Sequence, residues 1–222
     1  MPRIGLSGCG TIGALHAGNL AKRARANDLE LVFHNRTREK AEDFGSRFHG
    51  KVSGEYDALV DGCDAIVIAT PPEQHTQQVL MALAAGKPVM VEKPLCTTPQ
   101  ELAMIETAAA AAPSGACLLV SENYYYKPSL ALMRETILWD GIGAVQSMQV
   151  KKLTQQRAEH WKAEYGALLE GGIHFIALIA DLADAALARV ETAAVHAAMA
   201  RDAVAPTSPP VPIRTPSSVQ AQ

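Results

Sequence analysis

Short apolar runs alternate with longer amphipathic segments over the first 120 residues of the chain. The runs predict five strands: Arg3 to Ser7, Glu30 to His34, Asp64 to Ala69, Pro88 to Glu92 and Cys117 to Ser121. The segments between them have the pattern of helices, and two of the central runs are apolar at every position, as in strands that are covered on both faces. The alternation predicts an α/β domain over residues 1–120, with a doubly wound parallel sheet.

The pattern changes after residue 120. Three consecutive tyrosines are followed by a predicted helix from Ser129 to Leu138, a glycine-containing turn at 141–143 and an alternating strand from Ala144 to Val150. A further helix is predicted from Leu168 to Ala180, and residues 189–197 fit either a strand or an alanine-rich helix. We therefore expect a partial second domain over 121–202. A proline-rich tail over 203–222 is expected to be disordered, because it buries too little apolar surface to offset its ordering entropy.

A glycine run lies where the first predicted strand turns into the first helix. Gly8 permits the tight turn, Gly10 lets the backbone approach a pyrophosphate, and Gly13 lets the helix pack on the strand. Thr11 and Ile12 stand at the helix start, where amides without intrahelical partners favour a phosphate. The run therefore predicts a dinucleotide-binding site.

The end of the second predicted strand bears on the choice of nucleotide. A carboxylate about 20 residues after the last glycine would bind the ribose of NAD, but Asn35 and Arg36 stand there instead. An arginine binds a 2'-phosphate bidentately, whereas a carboxylate would repel it. The sequence favours NADP, with NAD possible. The alternative is that Arg36 and Arg38 are solvated charges at a helix start.

Composition narrows the class of protein. The chain has 222 residues, is 48% hydrophobic and carries a formal net charge of -3, which disfavours a nucleic-acid partner. It has no charged leader and no apolar run near the roughly 20 residues that span a bilayer, so a cytoplasmic protein outside the membrane is expected. Its four cysteines are scattered singly, which predicts reduced buried thiols and no metal site.

A helix start fixes the position of a lysine. Thr98 as N-cap, Pro99 at the first helical position and Glu101 three residues after the cap form a predicted capping box. Lys93 lies between this helix and the preceding strand. It is therefore expected at the carboxyl edge of the sheet, where such folds bind ligands.

Several motifs occur together in a fixed order. They are Gly8-Cys9-Gly10-Thr11-Ile12-Gly13, Ala69-Thr70-Pro71-Pro72 with His75, and Gly86 to Pro94 ending in Glu92-Lys93-Pro94. Further motifs are Glu122-Asn123-Tyr124 and Gly171-Gly172-Ile173-His174. Over about residues 3 to 180 the chain resembles the Gfo/Idh/MocA oxidoreductases, the relatives of glucose-fructose oxidoreductase and inositol dehydrogenase.

The resemblance implies an N-terminal Rossmann domain, a following α+β domain with an open mixed sheet, and a polyhydroxylated small-molecule substrate between them. Lys93 would meet the reacting hydroxyl and precede a cis-proline, and His174 would complete the proton relay. The cofactor cleft would be lined by Thr70, Pro71, Pro72 and His75, while Glu92 and Asn123 would flank the nicotinamide and substrate. The second-domain sheet could form a homo-oligomer.

The chemistry of hydride transfer is consistent with these roles. A hydroxyl proton must leave when hydride moves to nicotinamide, so a positioned acid/base is needed. Histidine titrates in the required range, and in a helix Glu170 and His174 lie one turn apart, so the Glu170 carboxylate could orient the ring or bind a substrate hydroxyl. The alternative for His174 is a packed histidine under a helix.

Departures from the family pattern leave the function open. Glu170 stands where an aspartate is usual, and Ala177 where a second aspartate often follows. The chain also turns alanine-rich after Asp181, so its second sheet is expected to be incomplete. Three interpretations remain: an NAD(P)-dependent dehydrogenase of a sugar, cyclitol or similar polyol, a cofactor-binding regulatory or scaffold protein without turnover, and a shortened relative that binds dinucleotide only.

Overall fold

The computed structural model describes residues 1–24, 29–138, 147–153 and 165–183. The strands are β1 (Arg3–Ser7), β2 (Glu30–His34), β3 (Lys51–Val52), β4 (Ala65–Ile68), β5 (Val89–Glu92) and β6 (Leu118–Ser121). The helices are α1 (Thr11–Ala24), α2 (Arg38–Phe48), α3 (Tyr56–Gly62), α4 (His75–Ala84), α5 (Pro99–Ala111), α6 (Pro128–Leu138) and α7 (Ile173–Ala183). Short 3-10 turns at Pro72–Gln74 and Asn123–Tyr126 precede α4 and α6, and a π turn at Leu168–Gly172 precedes α7.

The six strands form one parallel sheet in the order β3-β2-β1-β4-β5-β6. Strand order reverses between β1 and β4, and this switch point is where doubly wound sheets bind ligands. The predicted Rossmann-type fold class is confirmed, and the five predicted strands begin and end within one residue of their predicted bounds. Strand β3 is not predicted from the sequence; it is a two-residue edge strand that pairs with β2 at Val32 and Phe33.

Both faces of the sheet are buried, which explains the continuous apolar runs. In β4, Ile66 and Ile68 pack on one face with residues of α3 to α5, whereas Val67 packs on the other face with Leu6 and Phe33. Successive side chains of a strand point to opposite faces, so a strand covered twice is apolar at every position. This packing fixes the carboxyl ends of the central strands at one edge.

The predicted capping box at the start of α5 is present. The Thr98 hydroxyl accepts a hydrogen bond from the Glu101 amide at 3.2 Å, and the Glu101 carboxylate accepts one from the Thr98 amide at 3.0 Å. The Thr97 amide donates to the same carboxylate at 2.9 Å. The loop that carries Lys93 therefore runs into a firmly capped helix.

The described part beyond β6 is mainly helical. Helix α6 begins one residue before its predicted start, and the Arg134 Nε donates to Asp181 of α7 at 2.6 Å. The predicted strand at Ala144–Val150 is wrong over 147–150, which have no strand conformation, since no described strand lies beside them to pair with. Residues 144–146, the turn at 141–143, the segment 189–197 and the tail 203–222 lie outside the described residues. The division into domains stays a prediction.

One described helix is long and apolar enough to cross a membrane by length and composition, namely Tyr165–Ala183 including its π turn. A single helix of this kind is weak evidence for a membrane span, because core helices meet the same criterion. This helix also carries polar contacts to the sheet domain, through the Glu170 carbonyl to Lys93 and through His174 to Glu122.

The cysteines are all unpaired thiols. Cys9 and Cys63 are buried as predicted, but Cys96 is half-buried and Cys117, which precedes the edge strand β6, is exposed. Burial raises the pKa of the Cys9 thiol to about 12 and that of Cys63 to about 11, so both stay protonated at neutral pH. Within the described ranges, no three His, Cys, Asp or Glu side chains are grouped to hold a metal ion.

Candidate active site

The glycine turn after β1 has little space for side chains at two of its three glycines. Gly8 has φ of +103°, and a Cβ there would lie 2.4 Å from the Ala69 carbonyl carbon. A Cβ at Gly13 would lie 2.0 Å from the Gly8 carbonyl oxygen. Both positions therefore require glycine, for the turn and for the packing of α1 on it.

The third glycine faces open space. A Cβ at Gly10 would meet no heavy atom within 4 Å, and Gly10, Thr11 and Ile12 are exposed at the N-terminus of α1. The amides at this helix start and the space in front of them fit a pyrophosphate. A cleft of about 540 Å³ continues from the loop to the Glu39, Lys40 and Asp43 side of α2. The residues present therefore fit a dinucleotide.

Asn35 braces the glycine turn through its side chain. Its Oδ1 accepts a hydrogen bond from the Cys9 amide at 3.0 Å, and its Nδ2 donates to the Thr37 carbonyl at 3.0 Å. Arg36 follows on the exposed surface, whereas the Arg38 Nε donates to Glu42 at 2.8 Å. Of the two arginines predicted near the ribose, Arg38 is thus held on its own helix by an i,i+4 ion pair.

His75 connects the loops that follow β4 and β5. The ring is 1% exposed, with Nδ1 lying 2.7 Å from the Pro94 carbonyl oxygen and Nε2 lying 2.8 Å from the Thr70 carbonyl oxygen. Pro72 is buried beside it and Pro71 is exposed. The Lys93-Pro94 peptide bond is cis, as the resemblance implied. His75 therefore links the loop that follows β4 to the loop that follows β5.

The carboxylate of Glu92 links three elements. The ring Nε2 of His16, on α1, lies 2.8 Å from Glu92 Oε1. Burial alone would raise the pKa of Glu92, but hydrogen bonds from His16, the Ser121 side chain and the Lys93 amide outweigh it and lower the pKa below its usual range. Glu92 is therefore an ionised carboxylate that ties α1 to the ends of β5 and β6.

Of the three predicted catalytic residues, Lys93 contacts the turn that contains Glu170 and leads into His174. Lys93 Nζ donates to the Glu170 backbone carbonyl at 2.6 Å, across 77 residues of sequence. Glu170 lies in the π turn that leads into His174, where the sequence predicted an ordinary α-helix from Leu168. A cavity of about 320 Å³ next to Lys93 is lined by residues of β6, of the Asn123–Tyr126 turn and of α7, together with Lys93 and Glu122.

Glu122 contacts the ring of His174, which is one of the two roles predicted from the sequence for the Glu170 carboxylate. The His174 Nδ1 lies 2.7 Å from each carboxylate oxygen of Glu122, which is 5% exposed. Asn123, the next residue, is exposed. The signal that could have found Glu122 is its position directly after β6, at the same carboxyl edge of the sheet as Lys93.

Comparisons with known proteins support a dinucleotide-binding fold. Residues 2–121 match the profile described as "Oxidoreductase family, NAD-binding Rossmann fold". The glucose-6-phosphate 3-dehydrogenase of Bacillus subtilis is 28% identical over 190 residues, which make up 81% of this chain and 53% of that protein. An inositol 2-dehydrogenase of Rhodococcus jostii is 40% identical over 98 residues, 43% of this chain and 26% of that protein. The chain thus spans about half, or less, of the length of these curated relatives.

A solved structure shares the fold. The WlbA dehydrogenase of Bordetella pertussis, determined in complex with NADH and UDP-GlcNAcA, superposes with a TM-score of 0.71 at 24% identity. The superposition covers 81% of this chain and 57% of that one.

Proposed function

Because the chain belongs to the Gfo/Idh/MocA family of oxidoreductases, we propose that it is an NAD(P)-dependent dehydrogenase or reductase acting on a CH–OH group of a sugar, cyclitol or similar small polyol. The observation that carries this proposal is the hydrogen bond from Lys93 Nζ, at the ligand-binding edge of the sheet, to the Glu170 carbonyl in the π turn that leads into His174. The names of the relatives, a glucose-6-phosphate 3-dehydrogenase and an inositol 2-dehydrogenase, support the substrate class.

The cofactor site is proposed at the glycine turn. Gly8 and Gly13 shape the turn, Gly10 leaves room for the phosphates, and the amides at Thr11 and Ile12 face them. Thr70, Pro71 and Pro72 form the neighbouring wall, and Asn35 and His75 hold the walls in place. A bound nicotinamide supplies the acceptor or donor of hydride.

The residues of the chain supply the proton transfer. We assign Lys93 the contact to the reacting hydroxyl, because its amine is held at the cavity by the Glu170 carbonyl. We assign the completion of the proton relay to His174, in the first turn of α7. This role requires the ring to lie within hydrogen-bond reach of its partner. The carboxylate that contacts the His174 ring is that of Glu122. The role proposed for the Glu170 carboxylate is therefore a contact to a substrate hydroxyl. Glu92 and Asn123 are proposed to flank the site.

A panel of polyols, sugars and their keto forms, screened with both nucleotides by absorbance of the reduced nicotinamide, tests this function. Turnover of at least one member is expected. Silence across the panel, combined with firm nucleotide binding in fluorescence titrations, would overturn the proposal in favour of a binding protein without turnover.

Cofactor preference is the first specific prediction. Arg36 is exposed and directly follows Asn35, which contacts the glycine turn, so its guanidinium is expected to decide the preference through a charge-assisted bond to the 2'-phosphate. NADPH should bind more tightly than NADH, and Arg36→Ala should reduce the ratio of the two affinities by about tenfold. Quenching titrations with both reduced nucleotides measure the ratio.

Arg38→Ala is the matched control, since Arg38 pairs with Glu42 and should leave the ratio unchanged. Equal affinities for the two nucleotides in the wild-type protein would overturn the preference for NADP.

A further inference from the structure

We propose that Glu122 is a positioning residue for His174, which keeps the ring proton on Nδ1 and leaves Nε2 as the atom that receives a proton from the substrate. This inference rests on the proposed function for its chemical purpose. It concerns a buried carboxylate to which the predicted mechanism gave no part.

The position of Glu122 is fixed by local structure. Its amide donates to the Val120 carbonyl at 2.8 Å where β6 ends, and its carboxylate caps the Asn123–Tyr126 turn by accepting the Tyr124 amide at 3.0 Å. The residue is 5% exposed. The carboxylate is therefore held by its own strand end and turn, independently of the ring that it meets.

The contact to His174 then determines which ring nitrogen carries the proton. Nδ1 lies 2.7 Å from both Oε1 and Oε2 of Glu122. An ionised carboxylate only accepts hydrogen bonds, so the nitrogen facing it is the donor. A neutral imidazole has one N–H, and with that N–H on Nδ1 the lone pair is on Nε2. This is the form that a general base requires.

Aromatic neighbours hold the plane of the same ring. Tyr124 stacks on His174 with 5.3 Å between ring centroids and 20° between planes, and Phe175 contacts Tyr124 edge to face at 5.5 Å. Lys127 Nζ lies 3.5 Å from the centroid of the Tyr124 ring. The carboxylate fixes one atom of the imidazole and the stack fixes its plane, so rotation of the ring is opposed by both.

The tautomer can be measured without any turnover. The full chain is labelled with ¹⁵N in its histidine rings, and long-range ¹H–¹⁵N spectra are recorded at a pH where the ring is neutral. His174→Asn identifies the resonances of His174 among the seven histidines. We expect the wild-type ring to carry its proton on Nδ1. In Glu122→Ala the ratio of Nδ1–H to Nε2–H forms should fall at least about tenfold.

Glu135→Ala is the matched control, because Glu135 is an exposed glutamate on α6 and should leave the ratio unchanged. A wild-type ring protonated mainly on Nε2 would overturn the inference, and so would an unchanged ratio in Glu122→Ala. The wild-type measurement decides even if that variant fails to fold. A protein with the Nδ1–H ring but no activity on any polyol would overturn the proposed function alone, whereas an active protein with the Nε2–H ring would overturn this inference alone.

Discussion

Replacement of Lys93 by alanine is expected to lower kcat/KM for a polyol substrate by about 10³-fold and to leave dinucleotide affinity unchanged, since a positioned acid/base contributes about 10²- to 10⁴-fold. The amine lies at the cavity beside the Glu170 carbonyl, whereas the glycine turn is built from other residues. Steady-state kinetics with the best substrate of the panel, together with nucleotide titrations, measure the two effects separately.

Lys87→Ala is the matched control for this variant. Lys87 also donates to a backbone carbonyl, that of Cys63 at 2.8 Å, but it precedes β5, at the opposite end of the strand from Lys93. Its loss should leave kcat/KM unchanged. Turnover by Lys93→Ala at the wild-type rate would remove Lys93 from the mechanism.

Gly10→Ala is expected to weaken dinucleotide binding by about 100-fold, or about 2.7 kcal/mol. The free energy of unfolding should change by less than about 0.5 kcal/mol, because the added methyl group meets no atom of the protein within 4 Å. The methyl group would instead occupy the space through which the pyrophosphate approaches the backbone. Fluorescence titration gives the affinity, and urea unfolding gives the stability.

Two other glycines serve as comparisons for Gly10→Ala. Gly62, at the end of α3, also has open space around its Cβ position, and Gly62→Ala should leave binding unchanged. Gly8→Ala should impair both folding and binding, because its φ is positive and backbone atoms lie 2.4 Å from the new Cβ. Nucleotide affinity of Gly10→Ala equal to that of the wild type would contradict the proposed phosphate site.

The features predicted well from the sequence are those that local chemistry determines. Strands covered on both faces need apolar residues at every position, so β4 could be recognised from its run of four. The capping box before α5 requires residues only three positions apart. By contrast, β3 has two residues at a sheet edge, too few to produce a periodic pattern.

Contacts between distant residues could not be predicted in the same way. His16 and Glu92 are 76 residues apart and meet at 2.8 Å only because α1 packs beside the end of β5. Glu122 and His174 are separated by 52 residues. Helical spacing predicts that the Glu170 carboxylate either orients the ring or binds a substrate hydroxyl, but the tertiary fold places a different carboxylate, that of Glu122, on the ring. Local spacing thus identified the candidate groups at the site, while packing determined their partners.

The decisive measurement is a crystal structure of the protein with a bound nicotinamide dinucleotide and a polyol. We expect Lys93 Nζ and a ring nitrogen of His174 to lie within hydrogen-bond reach, about 2.6–3.2 Å, of the hydroxyl whose carbon faces the nicotinamide. A complex in which either group lies well outside that distance, with no chain movement that could bring it closer, would contradict the proposed proton transfer.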